Sequence, residues 1–139
     1  MNGVNPRIVL VVDDEVFARL FAVQIFLDQG FTVLEAGDAE EGLEMLEAND
    51  DVGLLFTDIS MPGEMDGLEL IERVRHERPG ISFVATSGRV LPAGEMLPRS
   101  ARFLPKPYTA HALMTTIREL SGAAAAVSGF PAIRAAPAM

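Results

Sequence analysis

Leu54-Leu55-Phe56-Thr57-Asp58-Ile59-Ser60-Met61-Pro62-Gly63 is the stretch on which the fold turns. From Val52 to Phe56 the chain is almost uninterruptedly apolar, the pattern of a strand covered on both faces. The run ends on an acid, Asp58, and Pro62, Gly63 and Gly67 then mark a loop. A carboxylate at the C-terminal end of a buried strand belongs at the sheet edge where open α/β proteins bind ligands.

Working outward, the same strand-then-helix unit recurs. Arg7 to Val12 reads as a first strand ending on Asp13-Asp14-Glu15, and Val16, Leu20, Val23 and Leu27 follow at helical spacing until Gly30. Phe31 to Ala36 is a second strand. Asp38 is placed to cap the next helix, with Glu41 completing a capping box and Ala39, Leu43 and Leu46 as the apolar stripe. After the central strand, a third helix over about Asp66 to Glu77 carries Leu68, Ile71 and Val74, and Pro79-Gly80 stops it. Ile81 to Thr86 is a fourth strand. Pro92, Gly94 and Pro98 make any helix between Gly88 and Ser100 short or irregular. Arg102 to Leu104 is a fifth strand leading into Pro105-Lys106-Pro107, and Thr109 caps a last helix with Leu113, Ile117 and Leu120, ended by Ser121-Gly122. Five βα repeats predict an α/β fold: a doubly wound parallel sheet with helices on both faces and right-handed crossovers. The expected organisation is an N-terminal arm over residues 1–6, one domain over 7–121, and a flexible Ala/Gly/Pro-rich tail over 122–139 with no output domain.

The composition narrows the function classes. The 139 residues suit one domain, and 49% hydrophobic content is that of a folded globule. Without cysteine there is no thiol catalysis and no cysteine-ligated metal site. The net charge of −9, from 11 basic and 20 acidic residues, and the lack of a basic stripe speak against direct nucleic-acid binding. No segment has the roughly 20 apolar residues of a membrane span, and the N-terminus does not resemble a signal peptide, so a cytoplasmic protein is expected. Lys106 is the only lysine; every other basic side chain, the histidines apart, is arginine.

Strand ends of such a sheet meet at one edge, which brings together Asp13 and Asp14 from the first strand, Asp58 from the third, Thr86 from the fourth and Lys106 after the fifth. The second strand, ending Glu35-Ala36-Gly37-Asp38, receives no chemical role. Three clustered carboxylates repel one another unless a hard divalent cation such as Mg²⁺ intervenes. An aspartate there can attack phosphorus to form an aspartyl phosphate, and Lys106 and the Thr86 hydroxyl are suitable donors to the phosphoryl oxygens. The plainer alternatives are that Asp13-Asp14-Glu15 cap the first helix, that Thr86 is an ordinary strand-end residue, and that Phe103 is a core aromatic. His76 and His111 read as surface histidines. A nucleotide-binding protein would need a glycine-rich turn where Asp13-Asp14-Glu15 stand, and a phosphohydrolase would need a substrate-covering segment that the short loops lack.

Val11-Val12-Asp13-Asp14-Glu15, then Leu55-Phe56-Thr57-Asp58-Ile59-Ser60-Met61-Pro62 with Asp66-Gly67, then Val84-Ala85-Thr86-Ser87-Gly88, then Phe103-Leu104-Pro105-Lys106-Pro107-Tyr108, taken in order, resembles the receiver domain of bacterial two-component response regulators over about residues 7–121. The resemblance implies a flavodoxin-like (βα)5 fold with strand order 2-1-3-4-5. It implies Asp58 as phosphoacceptor, with Mg²⁺ held by Asp13, Asp14, Asp58 and the backbone carbonyl of Ser60. Thr86 and Lys106 would contact the phosphoryl group, and Thr86 and Phe103 would form the switch. The implied partner is a histidine kinase or histidine phosphotransfer protein, and the implied product is altered protein–protein binding by a phosphoacceptor that is not a conventional enzyme. Two positions depart from the family pattern or bear on it: the proline-interrupted Gly88–Ser100 region, part of the family's partner surface, and Ser60, at a position that influences dephosphorylation.

Overall fold

In the computed structural model, residues 5–89 and 97–128 are described, with side-chain surroundings through Ser121. The strands are β1 (Asn5–Val12), β2 (Thr32–Ala36), β3 (Val52–Asp58), β4 (Ser82–Ser87) and β5 (Ala101–Pro105). The helices are α1 (Val16–Asp28), α2 (Ala39–Ala48), α3 (Gly67–Glu77) and α4 (Ala110–Ser128). All strand pairs are parallel and the order is β2-β1-β3-β4-β5. The expected doubly wound sheet is therefore the observed one. Of the stretch from Gly88 to Ser100, where a short or irregular helix is expected, residues 90–96 lie outside the described residues.

Every residue of β3 and β4 is buried, as the apolar run around Leu54 requires of a central strand. Period-two alternation then divides the core. Val9, Val11, Leu54, Phe56, Val84 and Leu104 face α1 and α4, where Phe26, Leu113 and Ile117 cover them. Leu10, Val12, Leu55, Phe83 and Ala85 face α2 and α3, covered by Leu46, Leu70, Ile71 and Val74.

Several local expectations need correction. In α1 the buried residues are Ala22, Val23, Ile25 and Phe26, whereas Val16, Leu20 and Leu27, expected on the core stripe, are about half exposed. The helix is apolar on nearly every side, so spacing alone fits several stripes, and the sheet selects the one where Ala22 permits close approach. Asp38 does cap α2 by accepting from Glu41 N at 2.8 Å, but the Glu41 carboxylate accepts from Gly37 N at 2.7 Å, so the box does not close on Asp38 itself. The closed capping box is at α3, where Asp66 and Glu69 accept from each other's backbone N–H, both at 2.9 Å. In α3, Leu70 joins Ile71 and Val74 in the core, and Leu68 is only partly buried. Gly30 follows α1 with φ +87, the left-handed turn expected of it. Gly122 does not end the last helix: α4 continues to Ser128. The cost of one helical glycine, about 1 kcal/mol relative to alanine, is outweighed by the alanine-rich turn that follows it. The tail expected beyond that point lies outside the described residues, as does most of the N-terminal arm.

Candidate functional site

The C-terminal edge of the sheet gathers the polar residues named above. Asp58 is the last residue of β3 and pairs in register with Thr86 of β4. By strand alternation both share the α1/α4 side with Phe56 and Val84. Asp13 follows β1 directly, and its backbone N–H donates to Ala36 O of β2 at 3.1 Å. Lys106 follows β5, with its backbone N–H donating to Ser87 O at 2.9 Å. The ladder thus continues past the strands and fixes the backbone from which each functional side chain projects.

Lys106 Nζ lies 3.2 Å from Asp13 Oδ2 and 3.3 Å from Asp58 Oδ2, bridging two buried carboxylates. Their remaining oxygens accept backbone N–H groups: Asp13 Oδ1 from Glu15 at 2.9 Å, and Asp58 Oδ1 from Ser60 at 3.2 Å. Asp14 is exposed, and one carboxylate oxygen each from Asp13, Asp14 and Asp58 lie within 4.8 Å of one another. Glu15, not Asp13 or Asp14, is the N-cap residue of α1, and its side chain makes no capping bond. The Asp13–Asp14–Glu15 run is therefore not a simple helix cap.

The electrostatics follow from burial. Desolvation pushes the Asp58 carboxyl above its ordinary range; Lys106 opposes the shift and the Asp13 charge adds to it. For Lys106, burial works against the charged form, but Asp13 and Asp58 together outweigh it and hold the ammonium above its usual range. One cation thus faces three acids, and the donor set is short of positive charge. Thr86 is completely buried, and its Oγ1 has no hydrogen-bond partner among the described residues. Three carboxylates with one ammonium between them offer the hard oxygen donors and the excess negative charge that suit a divalent cation such as Mg²⁺.

The protein matches the family model "Response regulator receiver domain" over residues 9–118. The chain belongs to that family. Receiver domains are signalling modules of two-component systems. Among the relatives, the match to sensor kinase CckA of Brucella abortus is 38% identical and covers 81% of this chain but 12% of that protein. A chemotaxis protein CheY homolog of Campylobacter jejuni is 32% identical, with 81% of this chain and 91% of that protein covered. The Helicobacter pylori sensor histidine kinase CheAY is likewise matched over only 15% of its length. Among solved structures, the receiver domain of CckA aligns with TM-score 0.69 at 31% identity over 81% of this chain and 97% of its own. A response regulator receiver protein of Sinorhizobium medicae aligns with TM-score 0.74 at 27% identity, covering 81% and 92%.

Of the expected site residues in this receiver domain, Asp13, Asp14, Asp58 and Lys106 converge, and Thr86 stands beside Asp58. Ser60 is exposed and touches Asp58 through its backbone N–H. Phe103 is half-buried on the opposite face of the sheet, packed against the α2/α3 cluster and paired in register with Ala85. His76 and His111 are exposed, as expected.

Other residues around the site carry contacts that the sequence did not assign. Arg19 of α1 donates from Nη1 to the Asp13 carbonyl at 2.6 Å and from Nε to Glu35 at 3.1 Å. Tyr108, two residues after Lys106, sits between the rings of Phe21 and Phe56, with centroids 5.5 Å and 5.9 Å away. Burial first, and then the Asp13 and Asp58 charges, push its phenol above the ordinary range. Gly67, at the start of α3, donates to Ile59 O at 2.9 Å, and any Cβ there would collide with the Asp58 carbonyl and lie 2.8 Å from Ile59 Cα. Among the described residues, the large exposed hydrophobics are all on α1: Val16, Phe17 (87% exposed), Leu20, Phe21 and Leu27. No helix among the described residues is long and apolar enough to cross a membrane.

Proposed function

We propose that the protein accepts a phosphoryl group on Asp58 from a phosphohistidine of a sensor kinase or phosphotransfer protein, with Mg²⁺ as cofactor, and that the modified form changes protein–protein binding. The observation that supports it most is the buried Asp58 carboxylate sharing the single lysine with Asp13. In the transfer, a carboxylate oxygen of Asp58 bonds to phosphorus as the phosphorus–nitrogen bond breaks, and the departing imidazole nitrogen takes up a proton. Asp13, Asp14, Asp58 and the Ser60 carbonyl would hold Mg²⁺, which supplies neutralising charge to the phosphoryl oxygens. Lys106 donates to a phosphoryl oxygen, and the Thr86 hydroxyl finds in another the partner it lacks. Thr86 and Phe103 are the switch residues of this reading. Hydrolysis of the aspartyl phosphate returns the domain to its resting form, so it promotes its own modification and removal without turning over a separate substrate.

The apolar face of α1 suits the donor protein. It begins next to Asp13, Asp14 and Glu15, and Phe21 touches Tyr108 beside Lys106, so a helical apolar surface seated on Phe17 and Leu20 would bring its phosphohistidine to the acid cluster. The experiment is intact-mass spectrometry after incubation with Mg²⁺ and acetyl phosphate, for the parent and for Asp58→Asn. One phosphoryl adduct on the parent and none on the variant is expected. No adduct on the parent, or an equal one on Asp58→Asn, refutes the assignment.

A further inference from the structure

Asp13 is held more completely than any other group of the site. Its backbone N–H is bound to Ala36 O, Oδ1 to Glu15 N and Oδ2 to Lys106 Nζ. The last of its polar groups, the backbone carbonyl, accepts the 2.6 Å bond from Arg19 Nη1. Arg19 is in turn anchored through Nε by Glu35, the residue before Ala36 in β2, and its side chain is only 19% exposed. One guanidinium thus ties the end of β1 to the end of β2 through two bonds of fixed relative direction, a use that a lysine cannot reproduce.

We propose that Arg19 is a positioning residue for the acid cluster: anchored on Glu35, it fixes the Asp13 backbone and so sets the affinity of the site for its divalent cation. This rests on the metal reading above. Two rival accounts of the same contacts predict different results. As a nearby positive charge alone, Arg19 would repel a dication, so its removal would tighten metal binding. As a surface ion pair alone, it would leave binding unchanged. Only positioning predicts that removing a cation weakens the binding of another cation. Residues that orient metal ligands from behind are typically worth about 10–100-fold in metal affinity.

The test is calorimetric titration of Mg²⁺ into the parent, Arg19→Gln, Arg19→Lys and Glu35→Gln, with a thermal melt of each metal-free protein. The expected result is roughly tenfold weaker binding for Arg19→Gln, with smaller losses for Arg19→Lys and Glu35→Gln. At saturating Mg²⁺, the phosphoryl adduct formed from acetyl phosphate should return close to the parental yield. Unchanged or tighter Mg²⁺ binding in Arg19→Gln overturns the proposal, as does a yield that stays low at saturation. Should Arg19→Gln not fold, Arg19→Lys carries the test, because it keeps the charge and loses the fork; parental affinity there overturns the proposal. A parent that binds no Mg²⁺ removes the metal reading and this inference together, whereas a parent that binds and variants that match it remove only this inference.

Discussion

Thr86→Val should make the metal-free protein more stable while impairing its phosphorylation. Valine keeps the shape of threonine and replaces the hydroxyl by a methyl group. Thr86 has no exposed surface, and its Oγ1 is bonded to nothing among the described residues. Leaving a buried hydroxyl unpaired costs about 1–3 kcal/mol by mutational measures. The lower half of that range suits a residue at the end of a strand, so the substitution should stabilise the resting protein by about 1–1.5 kcal/mol. For a chain of this size that corresponds to a rise in melting temperature of roughly 3–6 °C. Urea denaturation at neutral pH without divalent ions should report the gain as a higher midpoint with unchanged slope. On the proposed function the same variant would lack one donor to the phosphoryl oxygens, so its adduct with acetyl phosphate should form at least about tenfold more slowly. A variant less stable than the parent would show that the Thr86 hydroxyl is already satisfied at rest. Stabilisation with undiminished phosphorylation would show that it is unpaired for some reason other than phosphoryl binding.

Lys106→Met leaves Asp13 and Asp58 facing each other without their shared, partly exposed cation, and should destabilise the metal-free protein by about 1–3 kcal/mol; thermal melts with and without Mg²⁺ should show the deficit shrinking as the ion replaces the lost charge. Asp58→Asn probes the desolvated acid. Because burial raises the Asp58 value above the usual 3.8, the folded state binds that proton more tightly than the unfolded chain does, so the penalty is absent below 3.8 and fully present once the pH exceeds the folded value. Metal-free Asp58→Asn should therefore be at least as stable as the parent at pH 7, with any advantage fading as pH falls towards 4, and denaturant midpoints across that window give the test. Gly67→Ala must push the start of α3 away from the Asp58 carbonyl, at a cost of about 1–3 kcal/mol of overpacking; a parental melting temperature and adduct rate would show that the close approach is unimportant. Phe17→Glu should leave phosphorylation by acetyl phosphate unchanged and reduce transfer from any autophosphorylated histidine kinase that serves the parent, since only the protein donor needs the α1 surface.

The parts of the fold legible in the sequence are those where one physical demand acts alone. β3 had to be buried on both faces because Leu54 to Phe56 offers no polar face, and every one of its residues is buried. α1 shows the opposite case. Its sequence is apolar around most of its circumference, so the spacing of Val16, Leu20, Val23 and Leu27 was as good a stripe as the true one. The choice was made by the sheet, which accepts Ala22 and Phe26 and leaves Phe17 and Leu20 outside. The excess apolar surface is itself a signal, because contiguous exposed hydrophobic patches mark interaction surfaces. Gly122 failed as a stop for a related reason: a glycine signal is weak when helix-forming alanines continue on its far side.

The site divides along the same line. Asp13, Asp58, Thr86 and Lys106 could be placed from sequence because each stands at a strand end, and parallel strands leave only one edge for them to share. Arg19 and Glu35 act on Asp13 through its backbone carbonyl, and nothing in a residue's identity says that its main chain will be gripped from the side. The only trace is positional. Arg19 lies six residues after Asp13, on a helix that carries no other cation, and it faces a strand-end acid, Glu35, that the catalytic reading had left without work. Two residues without a role that prove to be each other's partner indicate a shared one, and the bond they jointly hold in place is to the one acid whose every other polar group is already bound.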